Sequence, residues 1–271
     1  MPRLDAELVR RGLARSRGDA RDLVAAGRVS VDGRPARKPA HPVDPVSDIV
    51  LSGDGARWVG RGALKLRAAL DRWTPLGLDV RGRSAVDVGA STGGFTEVLL
   101  DAGAAHVVAL DVGRGQLVPA LAADPRVSDR SGTTVRGVDP ASLGGPFDVV
   151  VTDLSFISLT LVAAELAALL APGGDLVALV KPQFEVGRAR LGSRGVVTDA
   201  GDRADALRSV LAAFADRGLR ARALAPSPVT GSTGNAEYLL WARSEASDTM
   251  TGDEVEAAVE AVVHDTDGGG P

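Results

Sequence analysis

The run Val86-Asp87-Val88-Gly89-Ala90-Ser91-Thr92-Gly93-Gly94-Phe95-Thr96 constrains this chain more than any other feature. Residues 85–88 ahead of it are apolar and short, which reads as a strand. Residues 95–102 behind it read as a helix. A second apolar strand follows at 106–110 and ends in Asp111. Strand, glycine turn, helix, strand is the opening of a doubly wound α/β domain. The glycines let backbone approach a ligand at the carboxyl edge of the sheet, and an acid after the second strand can hold ribose hydroxyls. The spacing is D-x-G-x-x-x-G-G, with an acid ahead of the first glycine, and not G-x-G-x-x-G. A dinucleotide site must cradle a pyrophosphate, which such an acid would repel.

A ligand carrying an amine and a sulfonium would accept that acid. The run accordingly resembles motif I of the S-adenosylmethionine-dependent methyltransferases. The resemblance implies S-adenosyl-L-methionine as cofactor, held by Asp87, Gly89, Ser91, Thr92, Gly93, Gly94 and Phe95, with Asp111 on the ribose. A side chain at Gly89 or Gly93 is expected to block the close approach.

Composition removes several alternatives. The chain of 271 residues is long enough for one α/β domain and a small extra one. It has no cysteine, so disulfides, thiolate zinc sites and carbon methylation through a cysteine adduct are all excluded. Its three histidines, His41, His106 and His264, are scattered, and no metal site is expected. No segment reads as a signal peptide. The longest apolar region, 161–180, is broken by Glu165, Pro172-Gly173-Gly174 and Asp175, so it reads as helix, turn and strand rather than a membrane span. A cytoplasmic protein that does not engage membranes is expected.

The net charge of −4 conceals an asymmetry. Residues 1–67 carry 14 Lys+Arg against 8 Asp+Glu, while the tail from Ser244 has eight acids and no Lys or Arg. A basic front on an acidic chain suggests a polyanionic partner engaged by one module. Only Lys38, Lys65 and Lys181 of the 31 basic residues are lysine. Lysine can be neutral where arginine cannot, so these positions stand out.

Residues 1–52 read as a small α+β unit: a helix at 5–12, a second at 17–26 capped by Ser16 with Asp19 at its third position, a strand at 29–31 and a turn at Asp32-Gly33. The strings Arg3-Leu4-Asp5, Ala14-Arg15-Ser16-Arg17 and Gly27-Arg28-Val29-Ser30-Val31-Asp32-Gly33 resemble the S-four RNA-binding domain. That resemblance implies binding of structured RNA through phosphates and shape, by Arg3, Arg15, Ser16, Arg17, Arg21 and Arg28. Residues 53–62 read as a linker.

From residue 63 to 243 strands alternate with helices. Strands are expected at 134–137, 147–153, 175–181 and 219–225, with a last one at 237–242; helices are expected at 63–73, 115–122, 159–170 and 202–217. The tail, 244–271, is expected to be partly disordered beyond a short helix at 253–263. Lys65, Asp153, Lys181 and Glu237, in that order, resemble the K-D-K-E tetrad of FtsJ-type RNA ribose 2′-O-methyltransferases. The supporting strings are Arg61-Gly62-Ala63-Leu64-Lys65-Leu66, Asp153-Leu154-Ser155-Phe156, Lys181-Pro182-Gln183-Phe184-Glu185 and Gly234-Asn235-Ala236-Glu237-Tyr238.

With its front domain, residues 1–243 look like the TlyA family, also called hemolysin A. The resemblance implies a seven-stranded Rossmann-like sheet whose antiparallel last strand brings Asp153, Lys181 and Glu237 to one edge, which Lys65 on the preceding helix can reach. It also implies methylation of cytidine ribose in ribosomal RNA of the small subunit, the large subunit or both. Gly60 departs from the serine common in relatives, and the linker lacks their Arg-Ala-Trp-Val string.

The chemistry asks for a base, because a ribose hydroxyl is a poor nucleophile. Lys181 is the expected base. It must be neutral to act, and a cationic Lys65 nearby favours that form. Asp153 is expected to orient Lys181, and Glu237 to position Lys65. Asn/Asp-Pro-Pro-aromatic, usual for amine methylation, is absent at Asp153-Leu154-Ser155-Phe156. Two other readings remain: a non-catalytic RNA-binding ribosome-assembly factor, and a membrane-active hemolysin. Neither the methylated nucleotide nor the oligomeric state is readable.

Overall fold

The computed structural model describes residues 1–268 except 12, 15, 16, 26, 52–57, 193, 232 and 245–247. The chain divides into two units, Met1–Gly60 and Arg61–Pro271.

The first unit packs two helices, α1 (Leu4–Arg10) and α2 (Arg17–Ala25), against a small antiparallel sheet of β1 (Val29–Val31), β2 (Arg34–Pro35) and β3 (Ile49–Leu51) in the order β2-β1-β3. Asp32 and Gly33 both have positive φ, 49° and 75°, as a two-residue hairpin between right-twisted strands requires. Leu4, Leu8, Leu23, Val24, Val29 and Ile49 are buried between the layers. The expected helix, helix and strand are present. The third strand, β3, was not expected from the sequence. The proposed capping residue Ser16 lies outside the described residues.

The second unit opens with α3 (Arg61–Trp73), whose buried face carries Ala63, Leu66, Ala69, Leu70 and Trp73 together with Lys65. Then follow β4 (Ser84–Val88), α4 (Gly94–Asp101), β5 (His106–Asp111), α5 (Pro119–Ala122), β6 (Val127–Ser131) and β7 (Phe147–Thr152). After these come α6 (Ala163–Leu169), β8 (Leu170–Val180), α7 (Pro182–Glu185), α8 (Ala200–Ala215), β9 (Leu219–Pro226), β10 (Tyr238–Ser244) and α9 (Gly252–Gly268). The seven strands lie in the order β6-β5-β4-β7-β8-β10-β9, with β10 antiparallel to both neighbours. The order reverses between β4 and β7, which opens a crevice at the carboxyl ends of the strands. This is the doubly wound sheet the sequence implied.

Three expectations need correction. The third strand is Val127–Ser131 and not 134–137. Val127-Ser128-Asp129-Arg130-Ser131 is a polar edge strand, so it lacks the apolar signature, whereas Val135 is buried from a loop. The expected helix at 115–122 shrinks to the four residues of α5, started by Pro119. In the tail, α9 runs for 17 residues, and Val259, Val262 and Val263 bury themselves in the cluster that holds Phe214, Leu219 and Leu240. Asp253, Glu254, Glu260 and Asp265 are exposed, and charge composition alone concealed the apolar stripe.

Candidate active site

At the switch point the chain leaves β4 through Gly89, whose φ is +89°. The N–H groups of Gly89 and Ala90 both donate to the Leu110 carbonyl, at 2.8 and 3.1 Å, which ties this loop to the end of β5. Ser91 N–H donates to Asp111 Oδ2 at 2.8 Å, and Gly113 N–H to Asp111 Oδ1 at 2.7 Å. Two backbone donors thus fix the Asp111 carboxylate while each oxygen keeps a lone pair for a ligand. Beside it lies a cleft of about 480 Å³ lined by Gly89, Ser91, Asp111, Val112, Gln116, Val135, Leu154 and Ile157. Its size and its mix of apolar walls with one placed carboxylate suit a nucleoside-sized ligand.

Of the residues expected to hold the cofactor, Gly89, Ser91 and Asp111 line this cleft. The others lie outside its lining. Asp87 is fully buried, and the Thr96 hydroxyl donates to its Oδ2 at 2.7 Å. Burial pushes the Asp87 carboxyl up to about 7. Alternation along β4 explains this placement: Val86 and Val88 join the core cluster on one side of the sheet, and Asp87 points to the other, under α4. Its side chain therefore lies outside the cleft lining. Thr92 is exposed outside the cleft lining.

Gly93, at φ +100°, has no room for a side chain, but the obstruction is protein: a Cβ would lie 2.4 Å from Leu121 Cδ1 and 2.7 Å from Leu117 Cδ1. At Gly94 a Cβ would lie 3.1 Å from Ala63 N. Phe95 is buried, and its ring lies about 4.0 Å from where a Cβ of Gly62 would be. Backbone turns send successive residues of a loop in different directions, so one linear string lines the cleft at some positions and packs behind it at others.

The same sheet edge assembles the four residues of the tetrad. Lys65 comes from α3, Asp153 follows β7, Lys181 follows β8, and Glu237 precedes β10. Because β10 runs antiparallel to β8, pairing Tyr238 with Val180, its entry lies beside the exit of β8. Lys65 Nζ donates to Glu237 Oε2 at 2.7 Å and to Asp153 Oδ2 at 3.5 Å. Lys181 Nζ forms a 2.6 Å ion pair with Asp153 Oδ1 and donates to Ser155 Oγ at 2.8 Å. Lys65, Lys181 and Glu237 are all buried. A second cleft, about 540 Å³, opens onto all four, and Arg61 and Arg194 also line it. The two clefts share Asp153, Ser155 and Phe156, so they meet at the tetrad.

Sequence reasoning quoted Ser155 and Phe156 only as part of a string. Phe156 has a positive φ of 66° and is 92% exposed, with its ring 5.3 Å from that of Phe184. Their position directly after a strand-end acid was the available signal.

In the first unit, two buried acids gather the arginines. Asp5 pairs with Arg3 at 2.9 Å, Arg17 at 3.3 Å and Arg21 at 3.8 Å. Glu7 pairs with Arg10 at 2.6 Å and Arg11 at 2.7 Å. Hydrogen bonds from Arg3 and then Arg17 hold the Asp5 carboxyl well below the usual carboxylate range; Arg10 and Arg11 lower that of Glu7 to about 2. Arg28 is half-buried ahead of β1. Arg15 and Ser16 lie outside the described residues.

Comparison with known proteins agrees with this architecture. Residues 58–244 match the FtsJ-like methyltransferase model, and residues 2–50 match the S4 domain. The chain is 47% identical over 262 residues to the 16S/23S rRNA (cytidine-2′-O)-methyltransferase TlyA of Mycobacterium tuberculosis, covering 96% of this chain and 97% of that one. It is 34% identical to Hemolysin A of Brachyspira hyodysenteriae, over 88% of this chain and 98% of that one. A solved structure from Streptococcus thermophilus, labelled a hemolysin, superposes with a TM-score of 0.76 at 36% identity, over 97% of this chain and 95% of that one. A conserved-length match at these identities, with both domains in place, makes this chain a member of the TlyA family, S-adenosylmethionine-dependent FtsJ-like 2′-O-methyltransferases that carry an S4 domain.

Proposed function

We propose that the protein methylates the ribose 2′-hydroxyl of cytidine in ribosomal RNA, with Lys181 as general base. The observation that carries this reading is the unbroken chain Lys181–Asp153–Lys65–Glu237 at the meeting point of the two clefts. Bound S-adenosylmethionine supplies an electrophilic methyl group. The residues at the cleft supply the rest. Once its ammonium proton has left, Lys181 takes the hydroxyl proton at Nζ. Asp153 and Ser155 hold that nitrogen from two sides, which fixes its direction. Lys65 pairs with Glu237 and supports Asp153 from behind. Alignment of oxygen and methyl carbon across the shared wall gives the remaining rate gain.

The substrate follows from two supports. The arginine-rich first unit matches an RNA-binding domain, and its buried acids pre-arrange Arg3, Arg17 and Arg21 in one group. The Mycobacterium relative acts on cytidine of 16S and 23S rRNA, which makes both subunits the first substrates to try. Among the described residues no helix is long and apolar enough to cross a membrane. The proposed site of action is the cytoplasm, where ribosomes are. The test is methyl transfer from labelled S-adenosylmethionine to isolated small and large subunits, followed by mapping of the modified nucleotide. Label on a base, or none on either subunit, would refute the reading.

A further inference from the structure

In its acting form, with Lys181 deprotonated, the tetrad sets two carboxylates, Asp153 and Glu237, against one cation, Lys65. It offers no net attraction to an anion. Yet a ribose 2′-hydroxyl in a polynucleotide always brings an anion with it, because the 3′-oxygen on the next ring carbon carries a phosphodiester. On the reading above, that phosphodiester must enter the tetrad cleft whenever the hydroxyl reaches Lys181. A cation outside the tetrad would neutralise it there.

We infer that Arg194 is that cation, a contact for the phosphodiester next to the reacting ribose. Arg194 lines the tetrad cleft and is exposed, and it has no carboxylate partner among the described residues. Its neighbour Arg190 lies on the same segment but is already engaged by Asp202 at 3.2 Å and Asp205 at 2.8 Å.

The position of Arg194 is built. Asn235, 1% exposed, accepts from Val197 N–H at 2.9 Å and donates through Nδ2 to the Gly195 carbonyl at 2.9 Å. Asn235 is two residues from Glu237 in the chain. One buried amide thus holds the backbone next to Arg194 at a fixed offset from the tetrad. A guanidinium is suited to the task, since its planar fork meets two phosphate oxygens and it stays charged while Lys181 changes protonation.

The role predicts a particular signature. One phosphate contact contributes a factor that scales as salt concentration to the power of about −0.7 to −0.9, or roughly five- to eightfold at about 0.1 M salt. In the full-length protein, Arg194→Gln should weaken affinity for a ribosomal RNA fragment and raise its KM by roughly that factor. It should lower the slope of log affinity against log salt by about one, and leave kcat at saturating RNA and S-adenosylmethionine affinity unchanged. Arg194→Lys should recover most of the affinity, because it keeps a point charge. Arg190→Gln is the control and should leave the slope in place.

An unaltered KM and salt slope in Arg194→Gln would overturn the inference. So would an equal loss in Arg190→Gln, which would mean general charge and no specific contact. RNA affinity is read apart from catalysis. If wild-type protein transferred no methyl to ribose while Arg194→Gln still lost RNA affinity and slope, the reaction assignment would fail and the contact would stand.

Discussion

Glu237→Gln separates an ion pair that holds the site together from one that merely decorates it. Glu237 is 4% exposed and Lys65 8% exposed, and their 2.7 Å contact lies where water reaches poorly. At an effective dielectric of about 20 their attraction is roughly 6 kcal/mol, and desolvation of both ions takes back much of it. Removing one partner forfeits the attraction while leaving the other ion buried, which costs about 3–5 kcal/mol. The structure selects the lower end for Glu237→Gln, because Lys65 keeps Asp153 at 3.5 Å. Lys65→Met should cost more, since Glu237 is the more deeply buried partner and has no second cation within ion-pair distance among the described residues. The double variant should cost less than the sum, with a coupling of at least ~1 kcal/mol. Urea unfolding followed by circular dichroism reads this directly: with m near 3 kcal/mol/M, Glu237→Gln should lower the midpoint by about 1 M. A shift below about 0.2 M, or strict additivity in the cycle, would show that the pair is solvated and that Lys65 is not fixed by Glu237.

Three further outcomes are expected. Lys181→Arg preserves charge and approximate length but stays protonated at working pH, so methyl transfer should fall by at least about a hundredfold with folding and cofactor affinity intact; near-normal turnover would remove Lys181 as base. Gly93→Val meets Leu117 and Leu121 in a backbone region that β-branched residues avoid, so it should destabilise the second unit by several kcal/mol, visible as a lowered Tm even without cofactor; a normal Tm with cofactor binding lost would restore a ligand-facing role. The raised carboxyl of Asp87 means the folded state holds a proton that the unfolded state releases, so stability should fall as pH rises from about 4 to about 7, by at most about 4 kcal/mol. Asp87→Asn should cancel that loss, and parallel urea-midpoint profiles for the two proteins between pH 5 and 8 would refute the assignment.

What the sequence revealed, and what it hid, follows from the range of the forces involved. The strands β4, β5, β7 and β8 were legible because a sheet covered on both faces demands continuous apolar runs. Given that sheet, order along the chain was enough to bring Asp153, Lys181 and Glu237 to one edge. β6 was illegible because an edge strand lacks that demand, and its polar residues imitate a loop. The arginines of the first unit were legible as charge, but Asp5 and Glu7 looked like ordinary acids in the first turn of a helix. Only the fold of 1–60 brings Arg17 and Arg21 back onto Asp5. The tail read as acidic, and its buried valines at 259, 262 and 263 were outvoted by eight carboxylates.

The glycine loop shows most clearly why a motif read as a ligand cradle also sets the spacing of the tetrad. A Cβ at Gly89 would lie 3.2 Å from the Asp153 carbonyl, and one at Gly94 would lie 3.1 Å from Ala63 N, two residues before Lys65. The loop therefore spaces two members of the tetrad from the cleft beside Asp111 by direct backbone contact. Gly94→Ala isolates this effect. Gly94 has no positive φ and begins α4, so alanine is conformationally welcome and favours the helix by up to about 1 kcal/mol. The only penalty is spatial: α3 must retreat by a few tenths of an ångström, and Lys65 with it. Stability should change by less than ~1 kcal/mol, and S-adenosylmethionine affinity should hold, because Gly94 is not in the cleft lining. Turnover should nevertheless drop by roughly tenfold, since displacement of about 1 Å can cost a hundredfold and this one is smaller. Unchanged kcat in a stably folded Gly94→Ala would mean that α3 absorbs the extra methyl group without moving Lys65, and that the loop and the tetrad are spaced by something else.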